Sequence, residues 1–529
     1  MDFSTFYRPK WTCGRYNSKK NIALIYNLIE GVSYYFEDYS ALIIKEILLA
    51  KRNQPINLEN ITNNLPFDKE EILEFMEELT SYGLVTKVFP SEKFIEEYRS
   101  QIVRSRTDRN KHTSNWFLSE EERNNNAEKT YSEMSGDCIS SVMLELTYRC
   151  SEQCIHCYNP GATRNSSEKN ERGNRTELSI IDYKRIIDEL YDLGIYKVCL
   201  SGGDPFSKDI VWDIIEYLYE KELAFDIFTN GLAIVDKVEQ LAKYYPRIVG
   251  ISLYSNIPKI HESITHVLGS YKKTLSVIEQ CALLGIPMNL KCCIMQPNLR
   301  SYYTVKDIAA QYGIVPQFDL NITDSVDGDK CASQYLRLTP QMMEIVLRDK
   351  DLPYYVDGSG VIESSKPIDI NSSIACNAGI NSLCITPEGF VQPCCAFPLK
   401  LGDVNLSSIS KILKNSSNLN WWKAKKLKDY EECYTHKYCI YCQMCPGNNY
   451  IANGTPLKPS ENNCSLAKIR YNLALKMKEG YDPLEGKSLI EKLKELKIQK
   501  PLLHKVSSTN YRDNKGIKEV SQTTSIITK

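Results

Sequence analysis

The sequence predicts an α/β protein built around a parallel sheet, with a small module before the sheet and a cysteine-rich region after it. From residue 141 to about residue 323, apolar runs alternate with helical patterns, which is typical of consecutive βαβ units with right-handed crossovers. Before residue 90, strand-like runs precede helical ones. Nine of the 19 cysteines lie between residues 376 and 464. These three observations predict one central α/β core and two accessory domains.

Composition excludes several classes of protein. The 529 residues are 42% hydrophobic and 25% charged, which indicates a globular chain of two to four domains. No apolar stretch approaches the roughly 18 residues of a membrane span, and the N-terminus lacks the apolar segment of a secretory signal. We therefore expect a cytoplasmic, reducing location, where clustered thiols serve metal binding or catalysis more often than disulfides. The net charge of −1 favours neither nucleic acid nor an anionic membrane as a partner.

The first 90 residues predict a small winged-helix-like domain. Asp68 followed by Glu70 and Glu71 indicates the start of a helix, which Gly83 should end. Residues 91–137 are polar and charge-mixed, and we interpret them as a linker with some helix in it. At the other end of the chain, residues 476–529 predict one basic helix followed by a disordered tail.

The first group of cysteines follows the first strand of the α/β region. The run TYRCSEQCIHCY places Cys150, Cys154 and Cys157 in a CxxxCxxC loop. Three thiolates can hold three corners of a [4Fe-4S] cluster and leave one iron open to an outside ligand. The alternative is a zinc site completed by His156. The position at the carboxyl end of a strand, where α/β sheets bind ligands, favours the cluster.

This loop, with an aromatic residue before its last cysteine, resembles the cluster motif of the radical S-adenosylmethionine (SAM) superfamily. The next strand ends in LSGGDPF, which is similar to the family's GGEP motif, with Asp204 where many relatives have glutamate. The resemblance implies a six-stranded partial (β/α) barrel over residues 138–340, open on one side. It also places the following residues around SAM: His156, Tyr158, Gly202, Gly203, Asp204, Pro205, Ser252 and Tyr254.

The chemistry implied by that resemblance is reductive cleavage of SAM bound to the open iron. The reduced cluster gives one electron to the sulfonium, and the resulting 5′-deoxyadenosyl radical abstracts a hydrogen atom from a substrate. The cofactor supplies the chemistry, while the protein orients it and excludes water. An electron donor of the flavodoxin or ferredoxin type is the expected redox partner.

The second group of cysteines lies in residues 341–475. The order CNAG, ITPEGFVQPC, LGDV and CxxCxxC resembles the SPASM extension of radical SAM peptide maturases, which implies two auxiliary [4Fe-4S] clusters. A structural zinc ribbon is the alternative for the CxxCxxC run. The implied ligands are Cys376, Cys394, Cys439, Cys442, Cys445 and Cys464, with Cys384, Cys395 and Cys433 as further candidates. Because the spacing departs from the usual motif, the inner cluster could use one of these candidates or keep an open iron.

The N-terminal module resembles the PqqD-like peptide-recognition domains of peptide maturases. In such domains, an exposed sheet edge pairs with the main chain of a leader peptide. The alternative is a DNA-binding winged helix, which the glutamate-rich helix DKEEILEFMEE disfavours because glutamates repel phosphates.

Together these resemblances predict an enzyme that modifies a ribosomally made precursor peptide. It would install a thioether, carbon-carbon or ether cross-link, or epimerise residues. Two alternatives are oxidation of a protein serine or cysteine, as in sulfatase-maturing enzymes, and a non-catalytic iron-sulfur protein that binds peptide or transfers electrons. The thiols of Cys292, Cys293 and Cys331 lie outside both cluster regions and are candidate hydrogen-atom donors. Buried apolar filling is their more ordinary role.

Overall fold

The structure is a computed structural model that describes residues 5–110, 127–136, 139–159, 176–325, 331–361 and 369–498. Its N-terminal module has three strands and then three helices: β1 Thr12–Asn17, β2 Ile22–Asn27, β3 Val32–Glu37, α1 Asp38–Leu49, α2 Leu58–Asn64 and α3 Lys69–Ser81. The strands form an antiparallel sheet in the order β1-β2-β3, which makes β3 an outer strand. Asp68 caps α3 in a capping box with Glu71, as the sequence predicts.

The middle strand of this sheet is buried on both faces. Ala23 and Ile25 pack against the helices of the module. Leu24 and Tyr26 instead share an apolar cluster with Tyr196 of the central domain. The module therefore lies directly against the barrel and uses the second face of its sheet as the contact surface.

Much of the predicted linker is an ordered helix, α4 Glu92–Asn110. The Tyr98 ring stacks on Trp11 at 5.1 Å between centroids, and Arg99 donates to the carbonyl oxygen of Ala242 at 2.7 Å. The helix thus contacts both the module and the barrel. The polar composition of α4 is explained by its narrow buried apolar stripe and by its arginines, which donate to carbonyl groups of neighbouring elements.

The central domain is a partial barrel of six parallel strands with helices between them, which confirms the predicted fold. The strands are β4 Ser141–Thr147, β5 Lys197–Gly202, β6 Ala224–Thr229, β7 Ile248–Ser252, β8 Met288–Cys293 and β9 Val315–Asp319. The helices are α5 Ile180–Asp192, α6 Val211–Glu220, α7 Val238–Ala242, α8 Pro258–Thr265, α9 Ser270–Leu283 and α10 Thr304–Tyr312. Consecutive strands pair in parallel, so their carboxyl ends meet at one rim.

The cysteine-rich region extends the same sheet. Its strands are β10 Ser382–Ile385, β11 Phe390–Gln392 and β12 Gly402–Asp403. Strand β10 pairs in parallel with β4, with Ser382 opposite Ser141, and the sheet runs β12-β11-β10-β4-β5-β6-β7-β8-β9. The sequence did not predict this pairing. It brings the cysteines around residue 394 next to the strand that precedes the CxxxCxxC loop.

The remaining helices lie around and after this extension. They are α11 Cys331–Leu336, α12 Pro340–Val346, α13 Ile409–Asn415, α14 Ser417–Lys423, α15 Pro446–Asn453, α16 Glu461–Lys478 and α17 Leu489–Glu495. The predicted basic C-terminal helix corresponds to α17, whereas the predicted disordered tail from residue 499 lies outside the described residues. Across the described ranges, no helix combines the length and apolar character that a membrane span requires.

Candidate functional site

The CxxxCxxC loop lies at the carboxyl end of β4 and is held on two sides. On one side, the backbone N–H groups of Gln153 and Ile155 donate to carbonyl groups at the end of α8, at 2.9 and 3.0 Å. On the other side, Gly203 N donates to Thr147 O at 2.7 Å and Asp204 N to Arg149 O at 2.9 Å. These bonds fix the path of the loop from both flanks. The loop that carries the three cysteines therefore has a backbone path defined by hydrogen bonds.

The thiols of this loop suit an iron-sulfur cluster. Cys150, Cys154 and Cys157 are each half-buried, and none of the three is joined in a disulfide. Burial raises the pKa of Cys150 and Cys154 well above the usual thiol value, so a buried thiolate here requires a compensating cation. Cys150 Sγ accepts the N–H of Glu152 at 3.4 Å, an arrangement that suits a thiolate ligand. The donor set fits a cluster held by three thiolates.

The two glycines of the GGDP motif make room for this loop. Gly202 has φ of +124°, and a Cβ there would collide with the carbonyl oxygen of Thr147. A Cβ at Gly203 would collide with the carbonyl oxygens of Tyr148 and Arg149. The two glycines thus allow the backbone at the end of β5 to approach the CxxxCxxC loop closely.

Asp204 is fully buried, and its carboxylate already has three donors within the protein. It accepts from Phe206 N at 3.0 Å, Thr229 Oγ1 at 2.7 Å and Asn230 N at 2.9 Å. The predicted role of Asp204 in binding SAM remains a prediction. In the structure, this carboxylate joins the end of β5 to the end of β6.

The other predicted SAM contacts surround the loop. The rings of His156 and Tyr254 meet edge to face with centroids 4.9 Å apart, and Tyr254 Oη lies 3.9 Å from Cys154 Sγ. Ser252 ends β7 at the same rim, and Pro205, the last residue of the GGDP motif, is buried. The roles of these residues toward SAM remain predictions. Tyr254 packs on the cysteine loop itself.

Sequence analysis did not identify two buried carboxylates at the loop, those of Glu145 and Glu152. Tyr158 donates to Glu145 Oε1 at 3.4 Å, and Cys154 donates to Glu152 Oε2 at 3.3 Å. Burial raises the pKa of each carboxyl group to about 8. Glu145 is a charged residue within the largely apolar strand SVMLELT, and this pattern could have indicated a buried carboxylate.

The three spare thiols differ in their positions. Cys292 is buried and lies 3.8 Å from the carbonyl oxygen of Tyr254. Cys293 packs in the apolar cluster that contains Cys154 and Tyr254. Cys331 begins α11, and its side chain lies outside the described atoms. The hydrogen-donor role of these thiols remains a prediction. Of the two thiols whose side chains are described, Cys293 is the one that shares an apolar cluster with a cysteine of the CxxxCxxC loop.

The second cysteine region separates into two groups. The first group surrounds a cavity of about 40 Å³ and consists of Cys433, Cys439, Cys442 and Cys464. Four thiols around one space suit a fully ligated cluster. Cys433, which sequence analysis identified only as a further candidate, lies here with Cys439 and Cys442.

The second group lies closer to the barrel and includes Cys376, Cys394 and Cys445. Their sulfur atoms accept backbone N–H groups of Ala378 at 3.4 Å, Ala396 at 3.3 Å and Asn448 at 3.5 Å, respectively. Burial has the largest effect on the pKa of Cys445 and raises it. The nearby thiolates of Cys394 and Cys376 raise this pKa further, so the three thiols interact electrostatically. Cys445 therefore lies with Cys376 and Cys394, and not with Cys439 and Cys442, the other two cysteines of the CxxCxxC run.

Cys384 and Cys395 lie between this inner group and the barrel. Cys384 is fully buried in β10, and its pKa is raised by burial and by Glu145. The Cys395 thiol donates a hydrogen bond to the Cys394 sulfur, which lowers the pKa of Cys394 to about 7.

Within the described ranges, no group of three or more histidine, cysteine, aspartate or glutamate side chains is arranged to hold a metal ion.

Comparisons with known proteins agree with this geometry. Residues 144–298 match the Radical SAM superfamily, and residues 376–446 match SPASM, an iron-sulfur cluster-binding domain. The chain is 27% identical over 336 residues to the antilisterial bacteriocin subtilosin biosynthesis protein AlbA of Bacillus subtilis, covering 61% of this chain and 70% of that one. It is 23% identical over 340 residues to the AdoMet-dependent heme synthase of Methanosarcina barkeri, covering 60% and 94%.

A similar fold occurs in the crystal structure of Streptococcus suis SuiB bound to precursor peptide SuiA. The TM-score is 0.52 at 14% sequence identity, covering 87% of this chain and 99% of that one. The family matches favour iron-sulfur clusters over the zinc alternatives at both cysteine regions, and an enzyme over a non-catalytic protein. The chain therefore carries a radical SAM domain followed by a SPASM domain, and it is a radical SAM enzyme whose cofactors are SAM, a SAM-binding [4Fe-4S] cluster and auxiliary iron-sulfur clusters.

Proposed function

We propose that this enzyme modifies a ribosomally synthesised precursor peptide whose leader binds the N-terminal module. SAM bound at the Cys150, Cys154 and Cys157 cluster supplies a 5′-deoxyadenosyl radical that abstracts hydrogen from the peptide. The product is a thioether, carbon-carbon or ether cross-link, or an epimerised residue. AlbA is a bacteriocin biosynthesis protein, and SuiB binds a precursor peptide, which supports a peptide substrate here.

The observation that carries this proposal is the aromatic surface between β3 and α3. The Tyr34 and Tyr82 rings stack at 4.9 Å, and the Phe36 and Phe75 rings meet edge to face at 6.0 Å. All four side chains are partly buried at the margin of the module's apolar core. Because β3 is an outer strand, an extended peptide added beside it would place alternate side chains over these rings.

Three arginines of the module contact the barrel. Arg8 forms an ion pair with Glu222 at 2.5 Å, Arg52 donates to Tyr219 O at 2.8 Å, and Arg15 donates to Ile195 O at 3.1 Å. These contacts set a constant distance between a bound leader and the open rim of the barrel. We expect this distance to select which residues of the peptide reach the radical.

The auxiliary clusters have separate ligand sets in this proposal. The outer cluster uses Cys433, Cys439, Cys442 and Cys464, supported by their common cavity. The inner cluster uses Cys376, Cys394 and Cys445, supported by their shared pattern of backbone N–H donors, and one of its irons is open or completed by Cys395. An electron donor of the flavodoxin or ferredoxin type and a cytoplasmic location complete the proposal.

The test uses peptides encoded by small reading frames beside the gene, synthesised with and without their N-terminal halves. Binding to the full-length reconstituted enzyme is measured by fluorescence anisotropy, and 5′-deoxyadenosine and peptide mass are measured under anaerobic reduction. We expect Phe36→Ala to weaken binding by roughly ten- to hundredfold, since burying one aromatic side chain contributes about 1.5–3 kcal/mol. Trp421→Ala, at an aromatic residue exposed on the SPASM domain, is the matched control.

Equal binding by the parent enzyme and Phe36→Ala would contradict leader recognition at this surface. A mass change in a protein serine or cysteine that does not depend on a leader would favour the sulfatase-maturing alternative. A change confined to a small molecule, such as a tetrapyrrole, would contradict the peptide proposal altogether.

A further inference from the structure

The side chain of Asn230, which follows β6, lies against a ligand of the SAM-binding cluster. Its Nδ2 donates to Cys150 Sγ at 3.3 Å and to Ser151 Oγ at 3.1 Å. The residue is buried, with 6% of its surface exposed. The Asn230 amide and the Glu152 backbone N–H are both directed at the sulfur of Cys150.

The orientation of this amide is fixed by the surrounding backbone. Asn230 Oδ1 accepts from Leu232 N at 2.9 Å, so the oxygen faces the turn after β6 and the nitrogen faces the sulfur. The Asn230 carbonyl oxygen accepts from Thr274 Oγ1 at 2.9 Å. The amide is therefore pre-positioned by bonds that do not involve the cluster.

Asp204 holds this arrangement from the opposite side. Its Oδ2 accepts both Asn230 N at 2.9 Å and Thr229 Oγ1 at 2.7 Å, and the same hydroxyl accepts from Gly231 N at 3.0 Å. The acidic residue of the GGDP motif is thereby connected to Cys150 through one intervening residue. It is a fully buried carboxylate with a structural task at the cluster.

We infer that Asn230 is a positioning residue that donates an N–H···S hydrogen bond to the Cys150 thiolate, and that Asp204 fixes Asn230 for this purpose. Such bonds stabilise the additional negative charge of a reduced cluster and so raise its reduction potential. The residue makes the cluster easier to reduce, which is the step that SAM cleavage requires. This inference does not depend on the identity of the substrate.

The first experiment uses the parent holoenzyme, so it does not depend on a variant folding. The protein is produced with ¹⁵N in the asparagine side-chain amides, reduced without SAM, and studied by pulsed electron paramagnetic resonance. The signal of the SAM-binding cluster is identified as the one that changes when SAM is added. We expect a ¹⁵N coupling on that signal, and its absence would overturn the inference.

The second experiment is a redox titration of the same signal in three variants. Asn230→Leu keeps the approximate volume and removes the N–H donor without adding a charge, and we expect roughly a tenfold lower ratio of reduced to oxidised cluster at a fixed potential, which is about 59 mV for a one-electron couple. Asn230→Gln keeps an amide and should recover part of this loss. Thr274→Val removes a bond to the Asn230 carbonyl only and should match the parent.

A parent-like midpoint in Asn230→Leu with full iron content would overturn the inference. If Asn230→Leu loads no cluster, the ¹⁵N coupling in the parent decides alone.

Discussion

The two cysteine regions place their thiols in opposite ways. In the barrel, one loop at the end of one strand carries Cys150, Cys154 and Cys157 within eight residues. In the SPASM domain, thiols that share one cavity come from positions as far apart as Cys433 and Cys464. A local loop can be identified from spacing alone. A site assembled from several segments can be partitioned only when their packing is known.

The largest expected effect tests the local site. Replacing Cys150, Cys154 and Cys157 together with alanine should abolish 5′-deoxyadenosine formation and remove about four of about twelve irons, because no thiolate remains for that cluster. Iron and sulfide analysis and product chromatography under dithionite measure both. Retention of all iron would contradict the separation between this loop and the SPASM cysteines.

The second prediction tests the partition of the assembled site. Cys433→Ala should reduce the outer cluster to three thiolates and lower its iron content, because the structure places Cys433 with Cys439, Cys442 and Cys464. Cys384→Ala is the matched control, since Cys384 lies in β10 next to Glu145. Mössbauer spectroscopy of both variants distinguishes cluster loss from partial loading. Greater iron loss in Cys384→Ala would reverse the assignment.

A smaller effect is expected at the glycine that supports the local loop. Gly203→Ala places a Cβ against the carbonyl oxygens of Tyr148 and Arg149, so the backbone must move. We expect partial loss of the SAM-binding cluster with intact auxiliary clusters. Gly194→Ala is the control: its φ is +81° and no described atom outside its chain neighbours lies within 4 Å of the added Cβ, so it carries only about 1 kcal/mol of backbone strain. Equal losses in both variants would mean that the contact with the loop is unimportant.

The smallest effect concerns the packing that holds the inner SPASM thiols. Trp422 Nε1 donates to Ala378 O at 2.6 Å, two residues after Cys376, and its ring packs edge to face on Phe397. Trp422→Phe removes a hydrogen bond of about 1 kcal/mol and should lower the thermal midpoint by roughly 1–3 °C. Anaerobic calorimetry of the loaded enzyme measures this shift. A large loss of iron would indicate that this indole has a direct part in forming the site.

The sequence predicted the barrel better than the region that follows it. Alternating apolar runs and helical patterns identify βαβ units because each strand and helix buries a face of its own. The pairing of β10 with β4 has no comparable signal, since four residues of β10 pair with a strand more than 200 positions earlier. The role of α4 was similarly hidden, because arginines that bond to distant carbonyl groups look like surface charge in a sequence.

Asp204 illustrates the same limit at the site. Its motif identified it as important, yet its hydrogen-bond partners in the structure are Phe206, Thr229 and Asn230. Asn230 itself carries no distinctive signal within FDIFTNG. Its approach to Cys150 exists only because adjacent parallel strands end at the same rim.

By itself, the sequence determined that this protein is an α/β enzyme with a CxxxCxxC loop at a strand end and enough later cysteines for further clusters. These properties are local, because spacing along the chain fixes which side chains can lie on one loop or one face. The tertiary structure alone decided that Cys433 joins the outer thiols, that Cys445 joins the inner ones and that Asn230 meets Cys150. Those contacts depend on how separate segments pack, and packing is set by the whole core and not by any single stretch of residues.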